Sequence, residues 1–145
     1  MIRTLSATLL IGLALSVAIA QQDPIAARKQ LMKHNGDQAK IGAAMAKGEA
    51  PFDAAKAKEI FATFIDAANK MPNLFPENSK TGKETSAAPE IWQHMDDFKA
   101  RFAKLGADSK KAEESVTDLN SFKAAFRAVG QNCQECHERY RLKKG

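Results

Sequence analysis

The chain has 145 residues and carries 22 Lys and Arg against 17 Asp and Glu, a formal charge of +5, so a single ordinary domain is expected. Its cations are scattered among Glu, Asp and Ala rather than gathered into a basic stripe, which argues against nucleic-acid binding.

Residues 1–20, MIRTLSATLLIGLALSVAIA, hold one Arg, an apolar run and a small-residue site ending at Ala20. This is the pattern of a cleaved secretory signal peptide, and the run from Leu9 is shorter than the roughly 20 apolar residues of a membrane span. Removing 20 of 145 residues, with Arg3 the one charge among them, leaves a domain of residues 21–145 at +4. No second apolar run is long enough to span a membrane, so a soluble, exported, periplasmic protein is expected. Its length suffices for one hydrophobic core.

The mature segment reads as helical throughout. A first helix is predicted from Pro24 to about Lys47, capped by Asp23 and ended by Gly48, with Ile25, Leu31, Met32, Ile41 and Met45 as apolar positions. Asn35-Gly36 sits in its middle, where Gly costs about 1 kcal/mol relative to Ala. A second helix runs from an Asp53 cap to about Lys70, with Ile60, Phe61, Phe64, Ile65 and Ala68 on one face. Residues 71–88, rich in Pro, Ser, Thr and Asn, form a loop. A third helix starts at Pro89 and carries Ile91, Met95, Phe98, Phe102 and Leu105 at helical spacing. A polar link over 106–117 leads to an Asp118 cap and a last helix whose apolar line is Leu119, Phe122, Phe126, Val129, Cys133, Cys136 and Tyr140. Four such helices without a strand candidate predict an all-α, antiparallel up-down-up-down four-helix bundle.

The one strong chemical signal is Cys133-Gln134-Glu135-Cys136-His137, the spacing of a covalent haem attachment site. Each thiol can add across a haem vinyl group, and the adjacent His137 can turn an imidazole nitrogen to the iron. Rival readings fit less well. A disulfide between residues three apart constrains little chain, and a thioredoxin-like pair belongs beside a βαβ pattern, which is missing here. Zinc needs four ligands, yet only His34 and His94 remain as nitrogen donors beyond His137.

The opposite face of the iron has several candidates: Met32, Met45, Met71, Met95, His34 and His94. In an antiparallel bundle the start of the first helix lies beside the end of the last. His137 is roughly 10 Å from its end and Met32 roughly 12 Å from the opposing start, at 1.5 Å per residue. Met45 lies roughly 20 Å deeper, and His34 is about 200° around the helix from Met32. Depth favours Met32 and leaves Met71, Met95 and His94 open.

At these residues the sequence resembles the class II c-type cytochromes, the cytochrome c′ family, whose haem is attached near the C-terminus of a four-helix bundle. The resemblance is carried by Arg28-Lys29-Gln30-Leu31-Met32-Lys33, by 47–53, by Leu74-Phe75-Pro76, by Pro89-Glu90-Ile91-Trp92 and by 133–141. It implies one covalent haem c on Cys133 and Cys136, with His137 as proximal iron ligand; on such a haem the Arg28 guanidinium can hold a propionate bidentately, the alternative being a solvated surface Arg of an amphipathic helix. The family has two branches. In one a Met at the position of Met32 binds the iron and the protein carries electrons; in the other that residue blocks the face, and the five-coordinate iron takes nitric oxide or carbon monoxide. Leu31-Met32-Lys33-His34-Asn35-Gly36 is similar to the first branch, and Arg28 to the second. The resemblance also leaves a homodimer open.

The expected function is single-electron transfer between soluble or membrane-bound redox partner proteins, with Met32 as distal ligand. The alternative is a gas-binding protein with Met32 as a gate. No nucleophile–base pair points to an enzyme. Arg139, Arg141, Lys143 and Lys144 stand beyond His137 and suit either an acidic partner or the C-terminal helix dipole.

Overall fold

The structure, a computed structural model, describes residues 23–82 and 84–143; the signal segment 1–20 and Lys144 lie outside them. Its helices are α1 (Pro24–Lys47), α2 (Ala54–Lys70), a single turn α3 (Glu90–Gln93), α4 (Met95–Ser115) and α5 (Leu119–Tyr140). The four long ones form the expected bundle, α2 packing on α1 and α4, and α5 on α4 and α1.

The predicted caps organise the helix starts. The carboxylate of Asp23 accepts from the Ile25 N–H at 3.0 Å, with Pro24 in the first turn. That of Asp53 accepts from Lys56 N–H at 3.0 Å, and Asp118 exchanges bonds with Ser121 as a capping box. Gly48 ends α1 in the left-handed region, φ 78°, which lets its N–H reach the carbonyls of Ala44 and Met45. α1 runs unbroken through Asn35-Gly36, since packing on two neighbours outweighs one helical glycine.

Three expectations need correction. The third predicted helix is interrupted at His94 (φ −131°, ψ 46°), which separates α3 from α4; no Pro or Gly marks this break, and it buries Ile91 while leaving Met95 half-buried. The polar link over 106–117 is mostly helix, because α4 continues to Ser115. There the buried positions are the small residues Ser109 and Ala112, and a Cβ on Gly106 would sit 3.3 Å from Ala68 on α2, so close helix approach replaces a large-hydrophobe stripe. Ile41 is 39 % exposed, outside the core.

Aromatic rings divide the core along the bundle axis. At one end Phe122 packs on Phe52, Phe61 and Phe126 at centroid distances of 5.9, 5.9 and 5.3 Å. At the other, Phe98 makes edge contacts with Phe75, Phe102 and Tyr140 at 4.7, 5.1 and 5.2 Å. The second end is where α1 and α4 begin and α2 and α5 finish.

The loop over 71–88 contains 3-10 turns at Met71–Asn73 and Glu77–Ser79 and is tied down at both sides. The Arg28 guanidinium, buried at the start of α1, donates to Leu74 O (3.1 Å), Ser79 Oγ (3.0 Å), Ser79 O (2.8 Å) and Thr85 Oγ1 (2.7 Å). Trp92 Nε1 donates to Phe75 O at 3.0 Å. A short antiparallel bridge between Ala87 and Arg141 then joins the loop to the chain leaving α5, with Ala88 N–H donating to Tyr140 O and Leu142 N–H to Ser86 O.

Candidate cofactor site

The end of the bundle where α1 begins and α5 finishes encloses a cavity of about 530 Å³, within the usual range of cofactor pockets. Cys133, Cys136 and His137 line its α5 wall. The i, i+3 spacing of the two cysteines keeps both on the inward stripe, and His137 adjoins the second. From α1 come Arg28, Met32, Asn35, Gly36 and Ala39, while Phe64, Phe98 and Phe102 supply an apolar floor.

Five cations line the cavity, Arg28, Lys29, Lys33, Arg101 and Arg141, and no Asp or Glu does among the described residues. Apolar walls with a wholly cationic set of charges suit a flat apolar group bearing carboxylates. That is the chemistry of haem and its two propionates, so the residues present fit the group the motif implies. Among the described residues no three His, Cys, Asp or Glu side chains gather as ligands for a lone metal ion.

Protonation agrees with this donor set. Burial raises the Cys133 thiol and pushes Cys136 up to about 11, with Arg101 opposing. These are protonated thiols rather than reactive thiolates, and a thioether formed from either is neutral and loses nothing by being buried. Burial, with Arg141 beside it, lowers the His137 pKa, so at neutral pH the imidazole keeps a lone pair for a metal. His137 as a whole is exposed, and it borders the cavity.

Of the six distal candidates, Met32 and Met71 border the cavity; Met45, Met95, His34 and His94 do not. Met71 is 3 % exposed and packed into the core, whereas Met32 is half-buried on the wall formed by α1. Both terminal nitrogens of Arg28 are engaged by the loop, so it serves as a clamp whether or not a propionate lies beside it. Tyr140 lines the cavity and Trp92 does not.

Two arrangements here have no clear signal in the sequence. Tyr140 Oη donates to Asp97 Oδ2 at 2.5 Å, and Arg101 and Arg139 converge on the same carboxylate at 2.9 and 3.5 Å. Asn132, next to Cys133, donates to Asp108 at 2.8 Å and accepts from Lys104 at 2.9 Å, tying α5 to α4. The i, i+4 pairs Asp97–Arg101 and Lys104–Asp108 are visible in sequence, but their partners on α5 are not.

Comparison with known proteins gives concordant matches. A family model described as Cytochrome C′ matches residues 23–141. A cytochrome c′ of Rhodopseudomonas palustris is 41 % identical over 135 residues, covering 93 % of this chain and 92 % of that one. A cytochrome c-556 of Agrobacterium fabrum is 38 % identical over 144 residues, 99 % of this chain and 97 % of the other. The solved cytochrome c′ from Rhodopseudomonas palustris superimposes with a TM-score of 0.84 at 43 % identity, covering 86 % of this chain and all of its own.

Proposed function

The chain belongs to the cytochrome c′ family, whose members bind one covalent haem c, and from that premise we propose that it carries single electrons in the periplasm, with His137 and Met32 on opposite sides of the iron. The observation that carries this reading is that Met32 from α1 and His137 from α5 face one cavity with both cysteines between the same walls. Bound haem supplies the one-electron iron couple. Cys133 and Cys136 would hold the group through two thioethers, each thiol adding S–H across a vinyl C=C to give one C–S and one C–H bond, and these tethers would persist through changes of iron charge. His137, its pKa lowered by burial, would supply an imidazole nitrogen to the iron, and Met32 would supply a soft thioether that raises the reduction potential. Arg28 and the other lining cations would balance the propionates, and the apolar floor would keep water from the ring.

Export is supported by the signal pattern in residues 1–20; among the described residues no helix is long and apolar enough to cross a membrane. A second reading is supported by the 41 % identical cytochrome c′: Met32 stands over a five-coordinate iron without binding it, and carbon monoxide or nitric oxide enters.

Absorption spectra of both oxidation states, with and without carbon monoxide, separate the two. Methionine ligation predicts a low-spin spectrum indifferent to carbon monoxide, converted to high-spin and gas-binding by Met32→Ala. A high-spin wild type refutes ligation by Met32, and a Met32→Ala variant that stays low-spin moves the ligand to Met71.

A further inference from the structure

We propose that Asn35 is the hydrogen-bond donor of the distal side, favouring polar and anionic ligands over carbon monoxide when the sixth position of the iron is open. Met32, Asn35, Gly36 and Ala39 line the cavity as one face of α1, the i, i+3, i+4, i+7 pattern of a helix. Gly36 and Ala39 make this face smooth, and a Cβ on Gly36 would meet nothing within 4 Å. Apart from Arg28, whose guanidinium is taken up by the loop, Met32 and Asn35 are therefore its long side chains. At 100° per residue, Lys29 and Lys33 stand on the opposite edge from Asn35.

Packing gives the depth. A Cβ on Gly42 would come within 2.4 Å of the Phe126 ring, so Gly42 and Phe126 are level where α1 crosses α5. Seven residues back along α1 is Asn35, and seven residues forward along the antiparallel α5 is Cys133. Asn35 thus stands on the α5 side of the face, level with the first attachment cysteine and one turn deeper than Met32.

The Asn35 carbonyl Oδ1 is enclosed and has no hydrogen-bond partner, while the amide nitrogen is not enclosed in the same way. A polar side chain held at this cost, its acceptor end shut in, presents its N–H₂ end to the cavity. No Asp or Glu among the described residues lines the cavity, so no acidic side chain there opposes an anion received by that donor. The inference rests on the proposed position of the iron between α1 and α5.

The test uses the haem-loaded exported protein with Met32→Ala in every sample, so that the sixth position is open whether or not Met32 ligates; the wild-type spectrum judges that question separately. Azide is titrated against the ferric form, and carbon monoxide binding and its infrared stretch are measured on the ferrous form. Adding Asn35→Leu is expected to weaken azide about tenfold, the worth of one hydrogen bond to a charged group. It should leave carbon monoxide affinity nearly unchanged and raise the stretching frequency. Asn35→Ala removes the donor without filling its space and must reproduce the azide loss. Unchanged azide affinity, or equal loss for both ligands, overturns the proposal. So does a fall in unfolding midpoint with Asn35→Leu, because replacing a side chain whose acceptor is unsatisfied must leave stability equal or greater unless Asn35 is structural.

Discussion

Replacing Arg28 by Met tests how far the loop over 71–88 depends on one guanidinium. The substitution keeps much of the apolar stem and removes four donated bonds. Two acceptors retain other bonds: Ser79 Oγ donates to Pro76 O at 2.8 Å, and Thr85 Oγ1 accepts from Ala87 N–H at 3.2 Å. The carbonyls of Leu74 and Ser79 lose their side-chain donor. Leu74 is half-buried and within reach of water, but Ser79 is 1 % exposed. An enclosed, unsatisfied carbonyl costs about 1–3 kcal/mol. Loss of the Arg28 contact over Phe75, 4.7 Å from the ring centroid, adds about 0.5–2 kcal/mol. Relief from burying a cation acts in the opposite direction, and burial already lowers the Arg28 pKa. The net expectation is a loss of about 2–4 kcal/mol, a large share of the 5–15 kcal/mol typical of a domain. Urea unfolding of the haem-loaded protein, followed by far-UV circular dichroism, measures it. Thr85→Val, which removes one acceptor, should cost about 1 kcal/mol. Arg28→Lys should recover less than half of the loss, because one ammonium cannot span four acceptors. A loss below about 1 kcal/mol for Arg28→Met, on the same hydrogen-bond scale, would refute the clamp.

Two further outcomes follow from the site. Replacing either Cys133 or Cys136 by Ala should leave haem held by one thioether, and replacing both should let acidified organic solvent extract it, as read by haem staining of a denaturing gel; haem that stays bound without either cysteine contradicts the attachment proposed. The Asp97 carboxyl is held below its usual value of 3.8 first by the Tyr140 hydroxyl and then by Arg101. Its folded pKa is lower than its unfolded one, so the stability it contributes is present above about pH 4 and fades as pH falls through the folded value. Asp97→Asn should therefore flatten the acid-side decline of the urea midpoint between neutral pH and pH 3, and an unchanged slope excludes Asp97 from acid unfolding.

The fold was legible wherever local chemistry decides it. Asp23, Asp53 and Asp118 occupy their predicted caps, Gly48 ends α1, and Phe61, Phe64, Phe98, Phe102 and Phe122 are buried as their spacing requires. Failures came where partners far along the chain decide. Helix continues past Gly106 because Ser109 and Ala112 pack against another helix, and small residues leave no apolar stripe to read. At the site, Cys133, Cys136 and His137 fall within one five-residue string, whereas depth favoured Met32 and left Met71, Met95 and His94 open. Arg28 pairs with residues 46 to 57 positions away, so its clamp was invisible to any local pattern. The resemblance to the cytochrome c′ family is borne out by the matching family model.

The division of aromatic rings into two clusters gives the bundle two unequal halves. Around Phe122, the rings of Phe52, Phe61 and Phe126 pack on one another without reference to any cofactor, and Ala57, Ile60 and Phe61 there are fully buried. Around Phe98, packing ends at the walls of a cavity. One half is thus closed by side-chain packing alone, while the other is left open at the wall that carries Cys133 and Cys136.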